Sequence, residues 1–295
     1  MRLSRRGKIT LRAAVALALA FIYIPLLVIV VEAFNSSRIL KWPPPGFTFS
    51  WFGKAFESET AREALVTSIE AGAVAMLIAI TLGTLIALAV GRRRFFGRDT
   101  ISFLVVLPIA LPGIVTGVAL SNTFTQVLGI SLSLMTVIVG HATFCIVVVY
   151  NNVVARLRRT SGSFEEASAD LGADPWQTFR WVTFPSLRSA LGAGALLAFA
   201  LSFDEIIVTN FTIGAGEETL PIWIYHNLFR PKELPVVPAV AVILIILSII
   251  PVYLAHRLSS DDAGLTPGRG GGGTSAAAPT AGAATIAETE ATAAH

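Results

Sequence analysis

The sequence predicts an all-α protein that crosses a membrane several times, and three observations predict it. Hydrophobic residues make up 54% of the 295 and charged ones only 14%, far from the balance of a soluble domain of this size. Six segments, roughly 12–34, 64–90, 100–122, 131–154, 190–213 and 236–257, each reach the ~20 apolar residues that carry a helix across the hydrocarbon core. Basic residues are distributed unequally between them. With the N-terminus inside, 16 of the 22 Lys and Arg fall on the cytoplasmic side and 6 outside. Both termini are therefore expected in the cytoplasm, and the net charge of +3 reflects this bias and not a nucleic-acid partner.

Residues 1–11 form a short cytoplasmic start. Arg2, Arg5, Arg6 and Lys8 precede the first apolar run in the manner of a secretory signal. That run is too long, however, and Val31–Asn35 offers no small-residue cleavage motif, so a retained first helix is expected. An external loop, 35–63, follows with Trp42, Pro43, Pro44, Pro45, Phe47, Phe49, Trp51, Phe52 and Phe56. Such rings favour the headgroup layer, so the loop either lies on the bilayer or helps receive an external protein. After the second span, the loop 91–99 carries four arginines and reads as a topology anchor and no more. The third span contains Pro108, Pro112, Gly113 and Gly117. Two prolines four residues apart kink a helix and free carbonyls that only protein can satisfy at this depth. The kink is either structural or borders a cavity. Cys145, in the fourth span, is the only cysteine, and no two of His141, His226, His256 and His295 have metal-ligand spacing, so neither a disulfide nor a metal site is expected.

Between the fourth and fifth spans, the loop 155–189 holds a polar island. Ser163 followed by Glu166 reads as a capping box, which starts a helix near Phe164. Gly172 supplies the left-handed position that ends it. Asp174, Pro175 and Gln177 then cap and open a second short helix, with Trp176 and Phe179 on one face. The product is a tight knuckle with apolar surface for a partner. Glu166, Ala167 and Gly172, followed by Val182, Phe184 and Pro185, resemble the EAA signature of the permease subunits of binding-protein-dependent ATP-binding cassette importers. Ser168 stands where a second alanine is usual, and Val182 and Phe184 replace isoleucine and leucine; all three changes suit helix packing.

The fifth span places Gly192 and Gly194 on a small-residue face, suited to close contact with a second permease subunit. It then presents Asp204 and Glu205. Each ionised acid near the bilayer centre costs about 2.5–3.5 kcal/mol, so the pair must find water, a cation or a shared proton. Neighbours on a helix point about 100° apart. One acid is expected to face a path and the other a hydroxyl, a base or a partner subunit; a purely intersubunit ion pair is the alternative. Ser202-Phe-Asp-Glu-Ile-Ile-Val-Thr-Asn-Phe is similar to the fifth-helix segment of spermidine/putrescine permeases, as are Thr219–Tyr225 and Arg230–Pro235.

The resemblance covers roughly residues 10–258 and implies a type I importer permease fold in a bacterial inner membrane. It implies a coupling helix that docks on the ATPase through Glu165, Glu166, Ala167, Asp170, Gly172, Trp176, Phe179 and Pro185. It also implies a polyamine path past Asp204, Glu205, Phe203, Pro112 and Trp223, the two aromatics being able to cradle an ammonium. Partners would be a second permease subunit, two ATPase subunits, which bind ATP and Mg, an external binding protein and lipid. No cofactor or catalytic residue is expected in this chain: its Gly7-Lys8 and Gly53-Lys54 pairs are followed by Ile9 and Ala55, where a nucleotide loop needs Ser or Thr. Gly172 is expected to let the two short helices move as one ball joint. A proton-coupled carrier, or the same importer class with another cargo, is the competing reading. Residues 259–295, rich in Gly, Ala, Thr and Ser, are expected to be a disordered cytoplasmic tail. Its Gly268, Gly270 and Gly273 follow no strand and imply no dinucleotide site.

Overall fold

The computed structural model describes residues 4–39, 41–230 and 235–261. The predicted tail from 262 onward and residues 231–234 of the Arg230–Pro235 segment lie outside them. Among the described residues, five helices are long and apolar enough to cross a membrane, and a sixth crossing is a bent pair. Helix α1 spans Arg5–Ala33, α3 Glu59–Arg92, α6 Leu134–Arg159, α9 Phe184–Phe203 and α12 Val237–Asp261, with α2, Ser50–Glu57, lying between α1 and α3. The predicted third span is α4, Arg98–Ala110, and α5, Gly113–Asn122, at 104° to each other. Pro108 lies inside α4, and Pro112 caps α5. The proline pair thus breaks the span outright, because Pro112 gives up a backbone donor where the ladder would continue.

Helix α6 is the hub, packing most extensively on α3 and α9. A stripe of small residues on α3, among them Ala64, Ala71, Ala75, Ala79, Gly83 and Ala87, is buried along the three- and four-residue spacing of one helix face. A Cβ on Gly83 would sit 3.0 Å from Ile146 O and Val149 Cβ, so α6 comes as close as backbones allow. Gly194 does the same for α9, its virtual Cβ lying 3.4 Å from Val149 Cα, while Gly192 meets Leu258 at 3.1 Å. The glycines of the fifth span therefore pack against α6 and α12 of this chain.

On the external side, α2 and α11, Leu220–Asn227, fold back over the bundle. Trp51 is buried with Nε1 donating to Asn35 O at 2.7 Å, and the Phe34 and Phe52 rings stand 5.1 Å apart. The external loop is thus partly a folded cap, although Trp42, Phe47, Phe49 and Phe56 stay exposed. Helix α1 touches α12 but leaves its apolar length unburied within this chain. Helix α12 continues through 259–261, so the helix outlasts the apolar run by one turn into the stretch expected to be tail.

Candidate functional site: the cytoplasmic knuckle and the broken fifth span

The knuckle consists of α7, Ser163–Asp170, α8, Pro175–Thr178, and a π-helical turn, Phe179–Thr183, that runs into α9. Gly172 sits at φ +85°, and Ala173 N–H reaches back to Ser168 O at 3.1 Å to close α7. Asp174 Oδ1 accepts from Gln177 N–H at 2.8 Å, and Gln177 Oε1 accepts from Asp174 N–H at 2.9 Å, so the second capping box forms as predicted. The first does not. Gly162 is the N-cap, Ser163 is already helical, and its N–H donates to Ser161 Oγ at 3.2 Å. Ser161 outcompetes the box because a hydroxyl two residues upstream forms a tighter local turn. Ser168 Oγ lies 3.1 Å from Thr178 Oγ1 and pins the two short helices together, a bond the more usual alanine cannot make.

Glu165 turns inward. Its Oε1 accepts from Arg92 Nε at 3.1 Å and from Thr183 Oγ1 at 3.1 Å, while Arg92 also donates to Leu157 O and Thr160 O. The residue is a brace between the end of α3, α7 and the π-helical turn, beside a cavity of about 400 Å³. Arg92 belongs to the basic loop, which is therefore more than a topology anchor. Glu166, Ala167, Asp170 and Pro185 are exposed and Phe179 is half-buried. Leu171 at 89% exposure, Trp176 at 68% and Phe164 at 63% give the knuckle a bare apolar surface. The Trp176 and Phe179 rings share a face at 5.7 Å.

The fifth span breaks where its acids stand. Helix α9 ends at Phe203, and α10 covers only Ile207–Thr212. Glu205 Oε1 accepts from Val208 N–H at 2.8 Å and caps α10, so its partner within this chain is a backbone amide and neither a hydroxyl nor a base. Asp204 is exposed and lines a cavity of about 560 Å³ with Leu244, Ser248, Ile249, Tyr253 and His256 of α12. Along α12, which runs inward from the predicted external side, this cavity extends from Leu244 to His256. Phe203 is buried and stacked on Phe199 at 5.6 Å. Trp223 is buried in α11 with Nε1 donating to Thr60 Oγ1 at 3.0 Å. Neither ring lies along the Asp204 cavity.

The two broken spans meet. A Cβ on Gly117 of α5 would lie 2.8 Å from Phe211 of α10, and one on Gly113, beside Pro112, 3.5 Å from Ile207. Between them, Ile114, Ile206, Asn210, Phe211 and Tyr225 line a second cavity of about 310 Å³. One residue that sequence reasoning passed over joins this region: His141 of α6, fully buried, with Ser202 Oγ 2.6 Å from Nδ1 and Thr209 Oγ1 2.8 Å from Nε2. The available signal was a histidine in an apolar span together with two hydroxyls flanking an acidic pair.

A multi-pass helical bundle with a broken, acid-bearing span and a capped apolar knuckle on its cytoplasmic side suits the membrane component of a transport system. The chain belongs to the family of binding-protein-dependent transport system inner membrane components, whose model matches residues 79–261. It is 33% identical over 241 residues to the spermidine/putrescine transport system permease protein PotC of Haemophilus influenzae, covering 81% of this chain and 92% of that one. It is 31% identical to the putrescine transport system permease protein PotI of Escherichia coli, covering 82% and 89%. Among solved structures, a bacterial ABC transporter that imports the acidic polysaccharide alginate matches in fold with a TM-score of 0.62 at 20% identity, over 88% of this chain and 99% of that one. The chain is thus a permease subunit of the ABC importer class, located in the inner membrane and not itself catalytic.

Proposed function

We propose that this permease subunit carries polyamines, delivered by an external binding protein and driven by two ATPase subunits that bind ATP and Mg. The observation that carries the cargo is Asp204, an exposed carboxylate at the helix break that opens on an otherwise mainly apolar slot along α12. A linear polyamine is a row of ammonium groups spaced by methylenes. Asp204, with the Ser248 and Tyr253 side chains, offers an anion and hydroxyls for the former, and Leu244, Ile249 and Val252 offer apolar wall for the latter. The names of the curated relatives support this reading. Residues 190–213 contain Asp204 and Glu205 but no Lys or Arg, which suits a cation and opposes an anion.

In this account Phe164, Leu171 and Trp176 dock on an ATPase, and the uncovered length of α1 meets lipid and a second permease subunit. ATP-driven approach of the two ATPases draws the knuckles together and opens the path outward; hydrolysis resets it inward. The Glu165–Arg92 brace transmits the movement from the knuckle to α3. The assembled complex in proteoliposomes tests the cargo: polyamine-loaded binding protein is expected to stimulate ATP hydrolysis severalfold, and sulfate to leave it at the basal rate. Stimulation by sulfate and none by spermidine or putrescine would overturn the cargo while leaving the importer class intact.

A further inference from the structure

The two halves of the fifth span are tied to each other through a third helix. His141 Nδ1 lies 2.6 Å from Ser202 Oγ, in the last turn of α9, and Nε2 lies 2.8 Å from Thr209 Oγ1, in α10. Thr209 already donates its hydroxyl hydrogen to Glu205 O at 2.8 Å. Toward the imidazole it therefore accepts, which puts the ring proton on Nε2. Nδ1 is then an acceptor and Ser202 its donor. Every polar side-chain group in this buried triad is satisfied, and each depends on the others.

We propose that His141 is a positioning residue, a latch that holds α9 and α10 at a fixed angle across the break and so keeps the Asp204 carboxylate in the cavity along α12. The proposal rests on the reading of Asp204 as the path-facing acid. Three features of the geometry support it. First, Glu205, whose carbonyl anchors Thr209 and whose carboxylate caps α10, is the residue next to Asp204, so the latch and the acid share one short segment. Second, α10 lies unusually close to α6 at this point, a Cβ on Gly140 standing only 3.3 Å from Val208 Cγ1; the missing side chain lets the imidazole reach both hydroxyls. Third, residues seven apart on an unbroken helix stand about 10 Å apart along its axis, and an imidazole bonded at both nitrogens spans less. Straightening the fifth span must therefore break at least one of the two bonds, which makes the latch specific to the broken state.

The test reads the break directly. In the assembled complex, Cys145→Ser removes this chain's only native thiol while keeping a donor for Ala198 O, to which Cys145 Sγ now donates at 3.2 Å, and labelling is read on this subunit alone. Asp204→Cys then supplies a reporter, and its reaction with a membrane-impermeant maleimide is followed in inside-out vesicles. Adding Thr209→Val, which keeps shape and loses the hydroxyl, is expected to slow labelling roughly tenfold, the scale of one buried hydrogen bond left unmade. Thr209→Ser, which keeps the hydroxyl, is expected to label like the parent. Ser202→Ala cuts the other bond and is expected to match Thr209→Val, so the test stands even if one variant fails to assemble. Labelling of the hydroxyl-free variants at or above the parent rate, or equal slowing by Thr209→Ser, would overturn the latch. Spermidine uptake by an Asp204→Asn complex, measured alongside, judges the path separately: full uptake there removes the path reading, and the labelling rates still decide whether the latch exists.

Discussion

Asp204→Asn is expected to abolish polyamine uptake while the complex still assembles with its ATPase. The side chain is exposed into the cavity, so asparagine fits the same space and removes the charge. Losing the anion opposite an ammonium in a mainly apolar slot is expected to weaken transport roughly thirtyfold or more. Glu205→Gln is the internal contrast. Its Oε1 can still accept the Val208 N–H that the carboxylate now takes at 2.8 Å, so uptake should fall by no more than a few fold. Adjacent acids with such unequal roles follow from the break itself: one ends up beside the cavity and the other becomes the cap of the next helix. Initial rates of labelled spermidine uptake in vesicles measure both. Equal losses in the two variants would mean that neither acid alone faces the path.

Gly172→Val is expected to uncouple hydrolysis from transport. At φ +85° a Cβ costs about 1–2 kcal/mol, and branching at Cβ adds to it. There is open space around this glycine, so the strain is in the backbone and cannot be relieved by moving a neighbour. The chain must instead shift φ, which breaks the turn that sets α7 against α8 and the Ser168–Thr178 contact across it. Substrate-stimulated ATP hydrolysis should drop about tenfold with the helix bundle intact, because the knuckle docks as a rigid body or not at all. Gly172→Asn, whose side chain tolerates the left-handed region, should retain most of the stimulation. Equal activity in Gly172→Val would contradict a rigid knuckle.

How far the sequence could be read depended on how far apart the interacting groups lie. Gly172, Asp174, Pro175 and Gln177 settle their turn within six residues, and the structure has that turn as expected. The membrane spans were legible because apolar length is a property of one segment. Ser163 and Glu166 misled because Ser161, two residues upstream, offers the same backbone a nearer acceptor. Glu165 is expected from its own segment to dock, and its bond to Arg92, 73 positions away, is invisible there. In the fifth span the adjacent acids Asp204 and Glu205 mark a polar site without showing that the helix breaks there. What stabilises the break is His141, 61 and 68 positions from the hydroxyls it bridges. The buried small-residue stripe of α3 is readable from its alanine spacing, and the glycines of the fifth span serve contacts within the chain.

Accumulation of labelled spermidine or putrescine in vesicles holding the complete complex tests the central claim most directly, with ATP supplied in one arm and only an imposed proton gradient in the other. Uptake that requires ATP and the binding protein, and that a proton gradient alone does not support, is the result this account predicts. Uptake driven by the gradient with the ATPase absent would contradict it, and would make Asp204 and Glu205 the proton-cycling pair of a self-contained carrier.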